Sequence, residues 1–402
     1  HSPPLGRPAR PLGGFAARNS HGMLTITTIV AVSAILVLLS TPACEGFGLS
    51  RAALPLRHGV VSASLGSAPA VGRRMGGAGG MRMQVWSNEQ AVQEYKDYLS
   101  GDAPAATVDG PACIVGGNGR IGSFIRDKGM GEDIVVGRGG EIPIEMPNVG
   151  VEFPVYVCVP EDEVESVIRS CPKEKVDDLV FVQGGNIEML LKKYGLCGND
   201  NTQAVLNFNI MSVGARPQNM LVDMGPDSFG ETKYAGETVV CGKWADALLP
   251  RLERAGIVGK KLFHRDWRRH MMERMVFQSV VNLVGTLHDG VTIGEVGKFY
   301  PGEVEDMIYQ INGALRGSLA LTLLYGVEER FFALAENTNI EWMPTKVENF
   351  KWRNGVIYAI SKQAMDIGFD DPCSMHSEYL EYGKDKGWIT CDLEPYNPYG
   401  TS

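Results

Sequence analysis

One stretch constrains this chain more than any other: Ala112-Cys113-Ile114-Val115-Gly116-Gly117-Asn118-Gly119-Arg120-Ile121-Gly122-Ser123-Phe124. An apolar, β-prone run breaks into Gly117-x-Gly119-x-x-Gly122 and continues in helical residues, the strand, tight turn and helix order of a dinucleotide-binding site. Gly117 permits the turn, Gly119 lets the backbone approach a pyrophosphate, and Gly122 lets helix and strand pack closely. The helix N-terminus then offers unpaired N–H groups and a positive dipole end to the phosphates. Gly117, Asn118, Gly119, Arg120, Ile121 and Gly122 are therefore candidate cofactor contacts. In a chain with 49 glycines, the alternative is a turn that binds nothing.

The next apolar run, Asp133-Ile-Val-Val-Gly-Arg138, stands where the second strand of such a unit belongs. An acid at its end would accept a hydrogen bond from the ribose 2′-hydroxyl of NAD, whereas Arg138 suits the 2′-phosphate of NADP. NADP is the expected cofactor; the other reading of Arg138 is a solvated loop arginine.

The net charge of −9 hides an asymmetry. Residues 1–83 hold eight Arg, no Lys and one acid (Glu45), and the remaining 319 residues carry 30 basic and 46 acidic side chains. An acidic body speaks against a nucleic-acid partner, whose phosphates need a basic face. The first 83 residues read as an address. Met23 is the expected start, followed by an apolar signal core over 23–44 that ends in small residues and is short for a membrane span. Residues 45–83 are rich in Arg, Ser, Ala and Gly, which is transit-peptide chemistry. The two together resemble the bipartite plastid leader of algae with secondary plastids, which implies a mature body in the chloroplast stroma, not embedded in a membrane. A secreted protein with a Gly/Ala/Arg linker is the alternative. Seven cysteines (113, 158, 171, 197, 241, 373 and 391) lie scattered in the body with no CxxC, which fits free thiols better than a disulfide framework. The four histidines of the body form no cluster of metal-ligand spacing, so no metal is expected.

The body divides into a short helix and linker over 84–107, an α/β domain over 108–258, a helical domain over 259–390 and a turn-rich tail over 391–402. In the α/β part, strands at 155–159, 178–183, 202–208 and 237–241 alternate with helices at 161–168, 187–194 and 243–255. That alternation predicts a Rossmann-type, doubly wound parallel sheet with helices on both faces. Beyond Lys261 the chain turns helical. Trp267 to Leu287 is apolar almost all round, so it should be buried. Against that background Arg274, Gln278 and Asn282 stack at i, i+4, i+8 on one face. Buried polar groups need partners, so this ribbon either joins an internal hydrogen-bond network or lines a cleft. Further helices are predicted at 304–325 and 349–368.

Residues 110–385 resemble the ketopantoate reductase family. The resemblance rests on Gly117-Asn-Gly-Arg-Ile-Gly122, Val136-Gly-Arg138, Val182-Gln-Gly-Gly185, Thr202-Gln203, Arg274-Met-Val-Phe-Gln-Ser-Val-Val-Asn282, Thr292-Ile-Gly294-Glu295, Arg353-Asn354-Gly355 and Gly368-x-x-x-Pro372. It implies a Rossmann domain followed by an all-helical domain of the kind that closes 6-phosphogluconate dehydrogenase, and hydride transfer from NADPH to a small 2-keto acid held between them. It also suggests a homodimer. The departures fall on the chemistry. The family's catalytic lysine corresponds to Arg274, its strand-end asparagine to Gly184, and its substrate-binding glutamate to Asn349, with Glu348 adjacent. Arginine does not give up a proton as lysine can. Two readings therefore stay open: a reductase of a small carbonyl compound, with Arg274, Gln278, Asn282, Glu348 and Asn349 at the substrate and Gly184 at the cofactor, or a catalytically silent NADP-binding protein that senses redox state or joins an assembly.

Overall fold

The computed structural model describes residues 108–198, 201–227 and 230–397; the leader and the helix expected over 87–99 lie outside them. Cys113-Ile114-Val115, apolar throughout, forms β1 (Cys113–Val115), buried along its length. The glycine loop leads into α1 (Arg120–Asp127), and β2 (Ile134–Val136) pairs with β1 in parallel. Next come β3 (Val155–Val157), α2 (Glu161–Ser170), a 3₁₀ turn, β4 (Leu179–Phe181), α3 (Glu188–Lys193) and β5 (Thr202–Val205). The three acids that open α2 sit at its positive dipole end.

Between β5 and the next strand of the main sheet the chain makes two small antiparallel ribbons. One joins β6 (Phe208–Asn209) to β7 (Gln218–Asn219), the other β8 (Val222–Pro226) to β9 (Thr232–Ala235). The chain then completes the sheet with β10 (Thr238–Cys241), α4 (Ala245–Glu253) and β11 (Gly259–Lys261). The order across the seven strands is β11-β10-β5-β4-β3-β1-β2. β10 runs antiparallel to β5, a departure from the all-parallel expectation. Its cause is local: no helix links the two, and strands joined without a helical crossover pair head to tail.

Alternate residues of these strands serve two cores, as a period of two requires. Cys113, Val115, Val155, Val157, Leu179 and Phe181 pack with Val164, Ile168, Leu190 and Leu191. Ile114, Tyr156 and Val180 pack with Phe124, Ile125, Leu248 and Leu252 on the other face. A buried ion cluster ties α4 to the sheet. Arg251, fully buried, donates from Nε to Asp109 (2.8 Å) and from Nη1 to Asp133 (2.7 Å), and Asp133 also accepts from the Ala112 N–H (2.9 Å).

The second half is built on α5 (His264–Leu287), about 36 Å long at 1.5 Å per residue. Around it stand α6 (Ile293–Phe299), α7 (Pro301–Leu319), α8 (Val327–Ala335), α9 (Asn354–Asp366) and α10 (Ser374–Asp385). Glu295 and Thr292 form a reciprocal capping box that starts α6, and the N–H of Glu295 donates to Thr292 Oγ1 (3.3 Å). Met272, Met275, Val276, Val280 and Leu283 of α5 share one core with Met307, Ile311, Phe331, Ile357 and Leu380. Val205, Val239 and Cys241 of the sheet belong to the same core, so α5 also covers part of the sheet.

The chain thus has the α/β sheet followed by helices that its pattern predicts. Some bounds differ. The helix expected over 304–325 runs Pro301–Leu319 and stops at Ala320, whose φ of +48° is left-handed. The one expected over 349–368 begins at Asn354, after a 3₁₀ turn at Phe350–Trp352. The four strands of the ribbons and the helices α6, α8 and α10 had no forecast, nor had β11, which joins the sheet at the head of the stretch expected to be helical. Residues 391–397 of the expected tail lie against the body: the Tyr396 ring stands 4.6 Å from that of Trp352. The seven described cysteines form no disulfide. Among the described residues no helix is long and apolar enough to cross a membrane, and no group of His, Cys, Asp or Glu has the geometry of a metal site.

Candidate active site

The carboxyl ends of β1, β2, β3 and β4 present, in turn, the glycine loop, Gly137-Arg138, Cys158-Val159-Pro160 and Gln183-Gly184-Gly185. The loop is shaped by what it leaves out. A Cβ on Gly122 would stand 2.3 Å from the Gly116 carbonyl oxygen and 2.7 Å from the Gly117 Cα, so only glycine lets α1 come this close to the turn. Gly116 takes φ +78° and also presses on the Cys158 carbonyl, 2.5 Å from where its Cβ would be. No side chain caps α1, and Asn118, Gly119 and Arg120 are exposed, so the leading N–H groups of the helix face outward. Ile121 is half-buried beside them, and Arg120 Nη1 is tied to the Ile210 carbonyl (3.1 Å).

Arg138 is largely exposed and forms an ion pair with Glu163 of α2. An exposed pair of this kind contributes little and exchanges readily for a phosphate.

The polar ribbon is the least buried face of the middle of α5. From Met271 to Thr286, Arg274, Gln278 and Asn282 are half-buried and every other position is buried. The three form the half-buried face of a span that is otherwise buried. Their roles differ. Asn282 is structural in part: it donates to the Gln278 carbonyl (2.7 Å) and accepts from the Lys346 N–H (3.1 Å). Gln278 Oε1 is buried with no partner. Arg274 donates from Nη1 to Asn207 Oδ1 and rests on Met220 Sδ (3.8 Å), while its Nε is buried without a partner. Asn207 is itself fixed, donating to the Glu237 carbonyl (2.6 Å). Burial, with Arg353 nearby, pushes the Arg274 guanidinium down to about 10, still charged at neutral pH.

Arg353, quoted above within Arg353-Asn354-Gly355 but given no role at the site, stands beside it. It follows the 3₁₀ turn at Phe350–Trp352, and Trp352 plugs into the core beneath the sheet: its carbonyl accepts from the Asn186 N–H (2.7 Å) and its indole donates to Asp162 (2.8 Å). That anchor brings the Arg353 Nη2 to 3.8 Å from the place a Cβ on Gly184 would occupy. Glu161 stands equally near Gly184 and accepts from the Gly185 N–H (2.8 Å). Burial pushes the Arg353 guanidinium down from its ordinary value, while Glu161 and Glu348 work the other way. Gly184 therefore lies at the meeting of sheet and helices. Glu348 and Asn349 lie on the exposed rim; Glu348 is near Lys346 (3.5 Å), and Asn349 takes the left-handed backbone (φ +51°) that starts the 3₁₀ turn.

A second hollow of about 240 Å³ lies on the flank of α5, by His270, Glu273, Tyr325 and Arg330. Within it Arg330 holds the Glu273 carboxylate through Nε (2.6 Å) and Nη2 (2.7 Å).

No family model and no curated protein sequence matches the chain. Solved structures of similar arrangement exist. A D-mandelate dehydrogenase in ternary complex with NADH and anilino(oxo)acetate superimposes with a TM-score of 0.46 at 12% identity, over 68% of this chain and 99% of that one. A ketopantoate reductase from Ralstonia eutropha gives 0.45 at 13%, over 69% and 99%. A dimeric ketopantoate reductase from Staphylococcus aureus gives 0.44 at 12%, over 69% and 100%. These values express a distant likeness in the arrangement of elements; the reading of the site stands on its own residues.

Proposed function

We propose that this protein is an NADP-dependent oxidoreductase that transfers hydride from NADPH to the carbonyl carbon of a small 2-keto acid or related carbonyl compound. The observation that carries the reading is the glycine turn at Gly116–Gly122, exposed at Asn118, Gly119 and Arg120 on the carboxyl edge of the sheet and leading into a helix with no side-chain cap. Gly117, Gly119 and the N–H groups opening α1 would hold the pyrophosphate, Asn118 and Arg120 its flanks, and Arg138 the 2′-phosphate after leaving Glu163. Two strand spacings separate the glycine loop from Gly184, about 10 Å, so a dinucleotide lying across β3 reaches Arg274 and Arg353. The D-mandelate dehydrogenase whose arrangement is similar was solved with NADH and a 2-oxo acid derivative together, which is in keeping with this reading.

When bound, the reduced nicotinamide supplies the hydride. The protein's part is electrostatic. Arg274 stabilises negative charge growing on the carbonyl oxygen, a contribution that needs a fixed cation and no proton transfer. The oxygen then takes its proton from the water that reaches Arg274, Gln278 and Asn282. General acid catalysis by a side chain is typically worth about 10²- to 10⁴-fold, so turnover without one is expected to be slow. Arginine in place of a proton donor also favours a second reading, a silent NADP-binding protein.

The test is a fluorescence titration of residues 84–402 with NADPH and NADH, followed by a search for substrate-dependent NADPH oxidation. Tight NADPH binding, levelled with NADH in Arg138→Ala and strengthened severalfold in Glu163→Gln, supports the cofactor assignment. Turnover that Arg274→Ala removes without loss of cofactor affinity supports the reductase; binding without turnover leaves the silent reading; binding of neither nucleotide rejects both. We further propose stromal import through residues 23–83, tested by the location of a fluorescent fusion to that leader, and homodimerisation through the helices, tested by sedimentation.

A further inference from the structure

Two guanidiniums from different elements stand near each other, Arg274 on α5 and Arg353 at the turn before α9, close enough for the second to act on the first. Neither has an ion-pair partner within 4.0 Å among the described residues, although each is close enough to feel other charges: Arg353 lowers Arg274, and Glu161 and Glu348 raise Arg353. The Nε atoms of both are buried and unpartnered. A buried cation and a buried donor with nothing to bind cost free energy, and the cost is recovered when an anion enters.

The donors can be counted against the acceptors. Arg274 commits Nη1 to Asn207 and Met220, which leaves Nε and Nη2. Among the described residues the Arg353 guanidinium has no hydrogen-bond partner, its Nε buried without one, so its five N–H groups remain. One carboxylate offers about four lone-pair sites. Two guanidiniums with most of their donors unused exceed what a single carboxylate accepts, and two carboxylates match them. The nearby acids do not close the site. Glu161 is directed to the Gly185 N–H and Glu348 is exposed on the rim beside Lys346.

We infer that Arg274 and Arg353 form a two-site clamp for a small dicarboxylate, with one acid group on each guanidinium. This rests on the reading of the region around Arg274 as a substrate site and narrows its substrate to 2-oxo diacids: Arg274 takes the carboxylate next to the carbonyl together with the carbonyl oxygen, and Arg353 takes the distant carboxylate. Gly184 is part of the device, because a larger residue there would crowd the Arg353 guanidinium beside it.

The experiment compares 2-oxoglutarate with 2-oxovalerate, molecules of equal chain length that differ in the second carboxylate. Each is titrated calorimetrically into residues 84–402, with and without saturating NADPH. The diacid is expected to bind at least tenfold more tightly. Arg353→Met should bring the two to equal affinity, and Arg353→Lys should restore part of the difference, because lysine keeps the charge and loses the fork. Thermal melting of each variant shows whether it is folded. Equal affinities in the unaltered protein, tighter binding of the monoacid, or binding of neither overturns the clamp. Diacid binding that depends on Arg353 but appears without any binding of NADPH keeps the clamp and rejects the cofactor reading, so the two failures are distinct.

Discussion

The guanidinium of Arg353 stands beside position 184 at the end of β4: its Nη2 lies 3.8 Å, ordinary contact distance, from where a Gly184 Cβ would be. Absence at one position and presence at another, 169 residues later in the chain, are a single feature of the site. Gly184→Asn should push Arg353 toward the rim. The expected result is a loss of anion affinity of tenfold or more with a small change in melting temperature, read by calorimetry and thermal denaturation side by side.

The glycine loop gives a sharper steric forecast. Gly122→Ala places a methyl group 2.3 Å from the Gly116 carbonyl, and backbone atoms cannot yield as a flexible side chain does. Overpacking of this kind costs roughly 1–3 kcal/mol. Urea unfolding should show that loss, and nucleotide affinity in the folded fraction should fall more than tenfold as α1 swings away from the turn.

Arg251 makes a separate claim on stability. Its fully buried guanidinium pairs with Asp109 and Asp133; Asp109 keeps a second partner in Arg254, so Arg251→Met leaves the buried Asp133 carboxylate without a cation. Removing one partner of a buried ion pair costs roughly 3–5 kcal/mol. Chemical denaturation is the measurement, with the Asp109→Asn/Arg251→Met double variant expected to lose less than the sum of the two single ones.

Two buried histidines set an acid limit. Burial holds His264 down at about 4, against opposition from Glu188, and His376 down at about 3, against Asp371. Both folded-state values lie below the ordinary value of 6.5, so the unfolded chain binds protons that the folded one does not. Stability is full above pH 6.5 and falls on acidification toward pH 4, by about 1.4 kcal/mol per pH unit for each histidine. Denaturation midpoints at pH 7, 6, 5 and 4 measure the slope, and His376→Gln should remove its share.

Much of this was legible in residue order. The glycine spacing 117, 119, 122 announces a close approach of helix to turn because no other residue type tolerates it, and the structure shows the contact. The ribbon Arg274, Gln278, Asn282 is equally readable, since a period of four on an apolar helix selects one face. What it faces was not readable: an internal network and an open cleft demand the same three residues, and only the packing of neighbouring helices leaves that face half-buried. The short ribbons between β5 and β10 escaped notice because two- to five-residue strands carry too few alternations to stand out.

The sequence by itself therefore determined the sheet, its glycine turn and the buried helix, all of which follow from local spacing and the need to bury apolar faces. Tertiary structure alone decided the partners of charge. Arg138 meets Glu163 across 25 residues, Arg274 meets Asn207 across 67, and Arg353 reaches Gly184 because Trp352 anchors the turn beneath the sheet. Distances of that kind depend on how whole elements pack, and no periodicity within one element encodes them.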